Sequence, residues 1–209
     1  MAATMKSRRK RHWPLYALIA ITVVPVVAAY IAYYVIPPAG RTNYGTLIEP
    51  QRPVPPLPLK LVDGTPFSLQ ELKGRWVFVM ADGGDCGERC ADKLLMMRQQ
   101  RAMAGRNRDQ IERVWLIIDD APLPIMLMRE YEGTYFVRAP LPAVRTLLPL
   151  PPAPGARLED HLWMIDPRGN LMLRWPRDPE ANEIKRDVAR LLKVAAGWIR
   201  VEPQKPEKP

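Results

Sequence analysis

An apolar stretch over residues 15–36 contains 22 residues and no charged side chain. At a rise of about 1.5 Å per residue, a helix of this length extends for about 33 Å and can cross the hydrocarbon core of a bilayer. Trp13 precedes the stretch, and Tyr30, Tyr33 and Tyr34 lie near its other end, where aromatic rings favour the membrane interface. Cleaved signal peptides have a shorter apolar region that ends at a small-residue cleavage site. The sequence therefore predicts an uncleaved transmembrane helix over residues 15–36.

The basic residues in front of this stretch predict its orientation. Of the formal net charge of +9, five positive charges precede the apolar stretch, at Lys6, Arg8, Arg9, Lys10 and Arg11. Such a cluster is typical of the cytoplasmic flank of a membrane helix and argues against a nucleic-acid-binding surface. We therefore expect residues 1–14 in the cytoplasm, the anchor in the inner membrane, and the rest of the chain in the periplasm of a Gram-negative host.

Proline marks the boundaries of the exported part. Residues 37–58 contain seven prolines, a density that favours extended polyproline-like backbone and predicts a semi-rigid linker. A second proline-rich stretch, over residues 140–155, interrupts the folded region, and residues 149–155 are predicted to form a loop. Residues 200–209 are expected to be a disordered tail. This leaves residues 59–199 as one domain, a usual size for a single core.

Within that domain, short apolar runs alternate with segments of helical periodicity, which is typical of a mixed α/β fold. Strands are predicted over residues 59–62, 76–81, 114–118 and 134–137, with a hairpin over residues 161–165 and 171–175. Helices are predicted over residues 86–103, 123–131 and 178–198.

The most specific chemical feature is the pair of cysteines, Cys86 and Cys90, which are the two cysteines of the chain. They follow a predicted strand and a glycine-rich turn, so we expect both in the first turn of a helix and facing the same direction. The positive end of the helix dipole favours thiolates, whereas the carboxylates nearby oppose them. Cysteines four residues apart have Cα atoms about 6 Å apart in a helix, a spacing that also permits a disulfide. The spacing alone leaves a metal site and a redox pair open.

Three segments of the chain resemble one known family. The stretch LKLVDGTPFSLQELKGRWVFVMADGGDCGERCADKLLMMRQQ, then VWLIIDDAP, then DHLWMIDPRGNL are similar to the core of the SCO/SenC proteins. The resemblance covers most of residues 57–195, with Gly87 where family members generally have proline. It implies a thioredoxin-like fold, with a central mixed sheet flanked by helices, and a copper-binding role in the assembly of cytochrome c oxidase.

The same resemblance draws attention to His161. This histidine begins a predicted strand directly after the second proline-rich stretch, and Asp160 matches the residue before the family's histidine. In thioredoxin-like folds the loop that enters this strand lies beside the cysteine helix. Two thiolates and an imidazole form a donor set that accepts Cu(I) and tolerates Cu(II). The resemblance therefore implies Cys86, Cys90 and His161 as copper ligands.

Three hypotheses about function follow. The leading one is a membrane-anchored assembly factor for cytochrome c oxidase, a metallochaperone rather than an enzyme, which delivers copper to an oxidase subunit or keeps its thiols reduced. The alternative is a thiol-disulfide oxidoreductase without a metal, acting on another exported protein that carries a cysteine pair, with Cys86 as the attacking thiolate and Cys90 as the resolving thiol. The third is a structural or regulatory membrane subunit in which the pair is a static disulfide.

Overall fold

The computed structural model describes residues 12–34 and 43–195, which belong to two compact units, one within residues 1–42 and the other within residues 43–209. In the first unit, α1 spans Trp13–Tyr34 and contains Pro25. Its stretch Trp13–Ala32 is long and apolar enough to cross a membrane. The predicted helix is therefore confirmed within the described residues. The basic segment before His12, residues 35–36 of the predicted helix, residues 37–42 of the predicted linker and residues 196–209 lie outside them.

The second unit is built on one sheet of eight strands in the order β1-β8-β7-β4-β5-β6-β2-β3. The strands are β1 (Thr46–Pro53), β2 (Leu59–Leu61), β3 (Pro66–Phe67), β4 (Trp76–Asp82), β5 (Ile111–Ile117), β6 (Tyr135–Arg138), β7 (Leu162–Ile165) and β8 (Asn170–Arg174). The helices are α2 (Glu88–Met103), α3 (Ile125–Glu130), α4 (Leu141–Leu147) and α5 (Ala181–Ala195), with short 3-10 turns at Leu69–Leu72, Gly105–Gln110 and Leu158–Asp160. Strands β4, β5 and β6 are parallel, whereas β7, β8 and β1 are antiparallel to their neighbours.

The centre of the sheet is buried on both faces. Successive residues of β4 point to opposite sides, so Val77 and Val79 join one apolar cluster while Phe78 and Met80 join the other. Residues of α2 and α5 complete the cluster around Phe78, and residues of α4 complete the cluster around Val77. A mixed sheet covered by helices on both faces is the thioredoxin-like architecture expected from the resemblance.

The linker prediction is wrong over residues 46–53, where the chain forms β1 instead of a free polyproline segment. This strand pairs with β8, with a register shift between Leu47 and Arg52. Its prolines are tolerated because β1 is an edge strand. On the side of an edge strand that faces solvent there is no partner strand, so a missing N–H group there costs no hydrogen bond between strands. Ile48 and Val54 are buried in the core. The folded unit therefore begins before residue 59, where the sequence analysis placed its start.

The second proline-rich stretch contains a helix that the sequence analysis did not identify. Helix α4 begins with Leu141 and Pro142, positions in the first turn that need no N–H group because no carbonyl precedes them in the helix. Val144 and Leu147 bury its inner face. Pro140 and Pro142 therefore lie at the start of a helix and not in a loop.

Candidate functional site at Cys86 and Cys90

The cysteine pair lies at the end of the sheet where the parallel strands β4, β5 and β6 have their carboxyl ends. Strand β4 stops at Asp82, and α2 starts at Glu88 with Gly87 as its N-cap. Only Cys90 is in the first turn of the helix, so the prediction that both cysteines are helical is wrong. The reason is the backbone of Cys86, whose φ of 35° lies in the left-handed region and cannot continue a right-handed helix.

The two cysteines are joined as a disulfide, with their Cα atoms 5.1 Å apart. Cys86 is partly exposed, whereas Cys90 is only 2% exposed and packs with the apolar cluster beneath α2. The backbone N–H groups of Cys90 and Ala91 both donate to the carbonyl of Gly87, at 3.0 and 3.1 Å. The pair is therefore asymmetric, with Cys86 partly exposed and Cys90 enclosed.

The two glycines before the pair are required by close contacts with the loop after β5. The N–H group of Gly84 donates to Asp119 Oδ1 at 2.8 Å. A Cβ atom on Gly84 would lie 2.5 Å from the carbonyl oxygen of Ala121, and one on Gly83 would lie 2.5 Å from Asp119 Oδ2. The absence of side chains at these positions allows the cysteine loop to lie directly against residues 119–121.

A buried ion pair, Lys93 with Asp82, lies next to the cysteine pair, and the sequence analysis did not predict it. Lys93 Nζ donates to Asp82 Oδ2 at 2.7 Å and also to the carbonyl of Glu159. Both side chains are largely buried, and Lys93 follows Cys90 by one helical turn. The pair therefore ties α2 to the end of β4 and to the loop before β7. The signal in the sequence was a lysine on the buried face of the helix, with Leu94 and Met97 as neighbours.

A cleft of about 270 Å³ opens beside the buried sulfur. Its lining consists of Asp82, Gly87, Glu88, Arg89, Cys90, Arg157 and Glu159. The two arginines are engaged with carboxylates, since Arg89 contacts Asp160 at 3.1 Å and Arg157 contacts Glu159 at 3.2 Å. The cleft beside Cys90 is thus lined mainly by charged side chains.

His161 is buried next to this region, directly before β7. Its ring Nδ1 donates to the carbonyl of Trp175 at 2.9 Å, and the ring meets Trp163 edge-on at a centroid distance of 5.8 Å. Burial lowers the pKa of His161 below its usual value of 6.5, and the hydrogen bond to Trp175 opposes that shift. The imidazole is therefore neutral at neutral pH, with Nδ1 carrying the proton and Nε2 the lone pair.

The implied copper ligands are only partly brought together. Cys86 and Cys90 are adjacent, but their sulfurs are bonded to each other and carry no thiolate. In the described ranges, 12–34 and 43–195, no three His, Cys, Asp or Glu side chains are grouped so that they could hold a metal ion. In this oxidised form the donor set does not fit copper, and the ligand set Cys86, Cys90 and His161 stays a prediction.

Solved structures of Sco proteins share the fold. Yeast Sco1 with copper bound has a TM-score of 0.55 at 15% identity, over 75% of this chain and 96% of that one. Apo Sco1 from Thermus thermophilus has a TM-score of 0.54 at 16% identity, over 75% and 99% of the two chains. BsSco, described as a Sco family member with a disulfide switch, has a TM-score of 0.51 at 12% identity, over 70% and 97%. The expected likeness to SCO/SenC proteins is confirmed for the fold.

No curated protein matches the chain in sequence. The family model described as "Transmembrane-like, thioredoxin-like, C-terminal domain" matches residues 76–195, which is more than half of the chain and includes β4 to α5. The apolar helix α1 agrees with the first part of that description. The chain therefore belongs to this transmembrane-like, thioredoxin-like family.

Proposed function

We propose that this protein is a membrane-anchored, Sco-like thiol-disulfide exchange factor that reduces a cysteine pair on an exported partner, such as a subunit of cytochrome c oxidase. The observation that carries the proposal is the asymmetric disulfide, with Cys86 partly exposed and Cys90 enclosed at the start of α2. An attacking thiol must be reached by the partner, whereas a resolving thiol acts only within the protein.

The exchange proceeds in two balanced steps. In the reduced protein, the Cys86 thiolate attacks one sulfur of the partner's disulfide, forms a mixed disulfide and releases the partner's other sulfur as a thiolate. The Cys90 thiolate then attacks the Cys86 sulfur, closes the Cys86–Cys90 disulfide and releases the partner's second sulfur. Two electrons pass to the partner, and its two thiolates take up the protons that Cys86 and Cys90 lost. A dithiol reductant has to restore the pair.

The surroundings of Cys90 suit the second step. The residue lies in the first turn of α2, where the positive end of the helix dipole stabilises a thiolate. The Lys93–Asp82 ion pair holds this turn against the end of β4, which keeps the resolving sulfur beside Cys86. Lys93 and Asp82 thus act as positioning residues.

The test uses the full-length chain in detergent, reduced and then mixed with a disulfide-closed model peptide. We expect Cys86→Ser to abolish reduction of the peptide and Cys90→Ser to accumulate a mixed disulfide that mass spectrometry detects. His161→Ala serves as the control and should leave exchange intact. Equal rates for Cys86→Ser and the unmodified protein would refute the proposal.

The oxidase as recipient and the location of the domain are further parts of the proposal. The shared fold with BsSco, a member of the Sco family of cytochrome c oxidase assembly proteins, supports the recipient. The basic residues before α1 support an N-terminus in the cytoplasm and a periplasmic domain. After reduction of intact spheroplasts, an impermeant maleimide should label Cys86. Labelling only after the membrane is opened would place the domain on the other side.

Copper binding is a second candidate, and the copper-bound yeast Sco1 structure of the same fold favours it. Reduction would free two thiols on residues whose Cα atoms are 5.1 Å apart, and soft thiolates select Cu(I). Titration of the reduced full-length chain should then give one Cu(I) per chain. Cys86→Ser or Cys90→Ser should abolish this binding, and His161→Ala should weaken it. Undiminished binding in the double cysteine variant would exclude copper as cargo of this pair.

A further inference from the structure

Two exposed apolar side chains lie on α3, the helix that follows the loop against which the cysteine segment packs. Ile125 and Met126 begin α3 and are 65% and 73% exposed, whereas Leu127 and Met128 of the same helix pack against the core. A single exposed apolar side chain is ordinary, whereas two in succession form a small apolar patch that a partner can bury.

Contacts at both ends of α3 hold it beside the cysteine segment. Before the helix, Asp119 accepts a hydrogen bond from the N–H group of Gly84 at 2.8 Å. After the helix, the hydroxyl of Tyr131 donates to the carbonyl of Ala91, the residue next to Cys90, at 3.4 Å. A protein that reaches Cys86 therefore covers surface that is continuous with α3.

The exposed charges around the pair are mostly negative. Asp85, Glu88, Asp92 and Asp120 are exposed, and none of them forms an ion pair within the described part of the chain. The neighbouring cations Arg89 and Arg157 are already engaged with Asp160 and Glu159. This end of the sheet is thus acidic in a chain whose formal net charge is +9. Opposite charge on a partner would steer it to the pair.

We infer that these side chains form a docking face for a partner segment that carries basic residues and an apolar residue beside its cysteines. The docking face consists of Asp85, Glu88, Asp92, Asp120, Ile125 and Met126. The inference deepens the proposed function and rests on it, because the exchange reaction brings the partner to Cys86. The carboxylates bind the partner's basic side chains, and Ile125 with Met126 bury its apolar one.

The test compares three disulfides with the reduced full-length chain. Two are synthetic disulfide-closed peptides of equal length, one flanked by lysine and leucine and the other by glutamate and serine. The third is the small neutral compound 2-hydroxyethyl disulfide. We expect the basic, apolar peptide to react about tenfold faster than the acidic one at low salt, with an advantage that shrinks as ionic strength rises. Rates are divided by that of the neutral disulfide, which corrects for changes in the thiolate itself.

Two sets of variants locate the docking face. The triple change Asp85→Asn, Glu88→Gln and Asp120→Asn, which leaves only Asp92 of the four carboxylates, should greatly reduce the salt-dependent part of the preference. The double change Ile125→Ser and Met126→Ser should lower the rate of the basic, apolar peptide several-fold at every salt concentration. Matched controls are Asp109→Asn and Val62→Ser, exposed positions at the opposite end of the sheet, and both should keep the preference.

The outcomes separate this inference from the proposed function. Equal rates for the two peptides, with normal reduction of 2-hydroxyethyl disulfide, would overturn the docking face and leave exchange standing. If the reduced chain reacts with none of the disulfides, the exchange function fails. The docking face is then decided by fluorescence anisotropy of the same peptides with the oxidised chain. Tighter binding of the basic, apolar peptide supports it, and equal binding overturns it.

Discussion

His161 makes the stability of the protein sensitive to pH because it is buried with a lowered pKa. In the unfolded chain the histidine takes up a proton near its usual pKa of about 6.5, whereas in the folded protein it does so only at lower pH. The unfolded state therefore binds more protons as the pH falls below this value. The stability that comes from the neutral imidazole is complete above pH 6.5 and is lost as the pH falls from there through the folded pKa.

The variant His161→Asn tests this pH dependence. An asparagine amide can donate to the Trp175 carbonyl as Nδ1 does, but it does not titrate. The melting temperature of the full-length protein should fall between pH 7.5 and pH 5.5, and the variant should reduce that fall. An equal fall in melting temperature in both proteins would show that titratable groups other than His161 cause it.

Gly84 is the second residue whose role can be measured. In Gly84→Ala the new methyl group would meet the backbone carbonyl of Ala121, and backbone cannot give way as a flexible side chain can. We expect a loss of about 1–3 kcal/mol in the free energy of unfolding, and faster reduction of the disulfide by dithiothreitol, because the loop is displaced.

Gly87→Ala is the matched control for Gly84→Ala, since a Cβ atom at Gly87 meets nothing within 4 Å. Alanine is a weaker N-cap than glycine, so only a smaller loss is expected there. Urea denaturation of both variants measures the difference. Equal stabilities would show that the contact with Ala121 does not constrain the loop.

For single residues, the sequence predicted the position of the cysteine pair but not its conformation. The strand, the glycine turn and the four-residue spacing placed Cys86 and Cys90 correctly at the end of β4. The left-handed backbone of Cys86 was not predictable, because non-glycine residues rarely adopt it and no local pattern requires it here. The hydrogen bond of His161 with Trp175 could not be predicted from the sequence either, since it joins the residue before β7 to the residue after β8.

Among the elements, β1 depends on one buried carboxylate. Asp187 of α5 is 2% exposed and accepts three hydrogen bonds, from the N–H groups of Tyr44 and Gly45 at 3.0 and 2.8 Å and from the indole of Trp175 at 3.1 Å. Gly45 allows this contact, because a Cβ atom there would lie 2.9 Å from Leu173. The carboxylate thus fixes the backbone directly before β1.

Asp187→Ala should therefore loosen β1. The change leaves three donors without their acceptor, two of them buried, and we expect a loss of at least about 2 kcal/mol in the free energy of unfolding. Hydrogen exchange of the amides of residues 46–48 should become faster. Glu183→Gln on the same helix, which removes an exposed ion pair with Arg186, is the control and should change little. Unchanged hydrogen exchange of these amides in Asp187→Ala would show that the carboxylate does not hold β1 in place.

The elements that sequence analysis missed share a physical cause. Both β1 and α4 contain prolines, and proline density was interpreted as linker or loop. Proline is excluded from the interior of sheets and helices but not from an edge strand or a first helical turn. Whether a proline-rich segment forms a strand or a helix here depends on its contacts with β8 and with the core beneath α4. These contacts join distant parts of the chain and cannot be predicted from the local sequence. Continuous apolar runs such as β4 were predicted to within a residue because burial on both faces leaves few alternatives.

For the molecule as a whole, the thioredoxin-like fold was implied by the family resemblance, whereas the order of the strands was not predicted, because local patterns contain no information about which strands pair. That order brings the loops after β4 and β5 to the same end of the sheet, where the disulfide and the docking face lie together. A polar loop with two cysteines becomes a functional site only through this arrangement. The central claim is that the Cys86–Cys90 pair opens and closes in the folded protein.

An equilibrium redox titration tests this claim most directly. The full-length chain in detergent is incubated in a series of dithiol and disulfide buffers, and free thiols are counted by alkylation and mass spectrometry while circular dichroism reports folding. The account predicts a reversible two-electron transition in a protein that stays folded. The ratio of dithiol to disulfide should change tenfold for every change of about 30 mV in the potential of the buffer. A pair that stays closed until the protein unfolds would contradict the account.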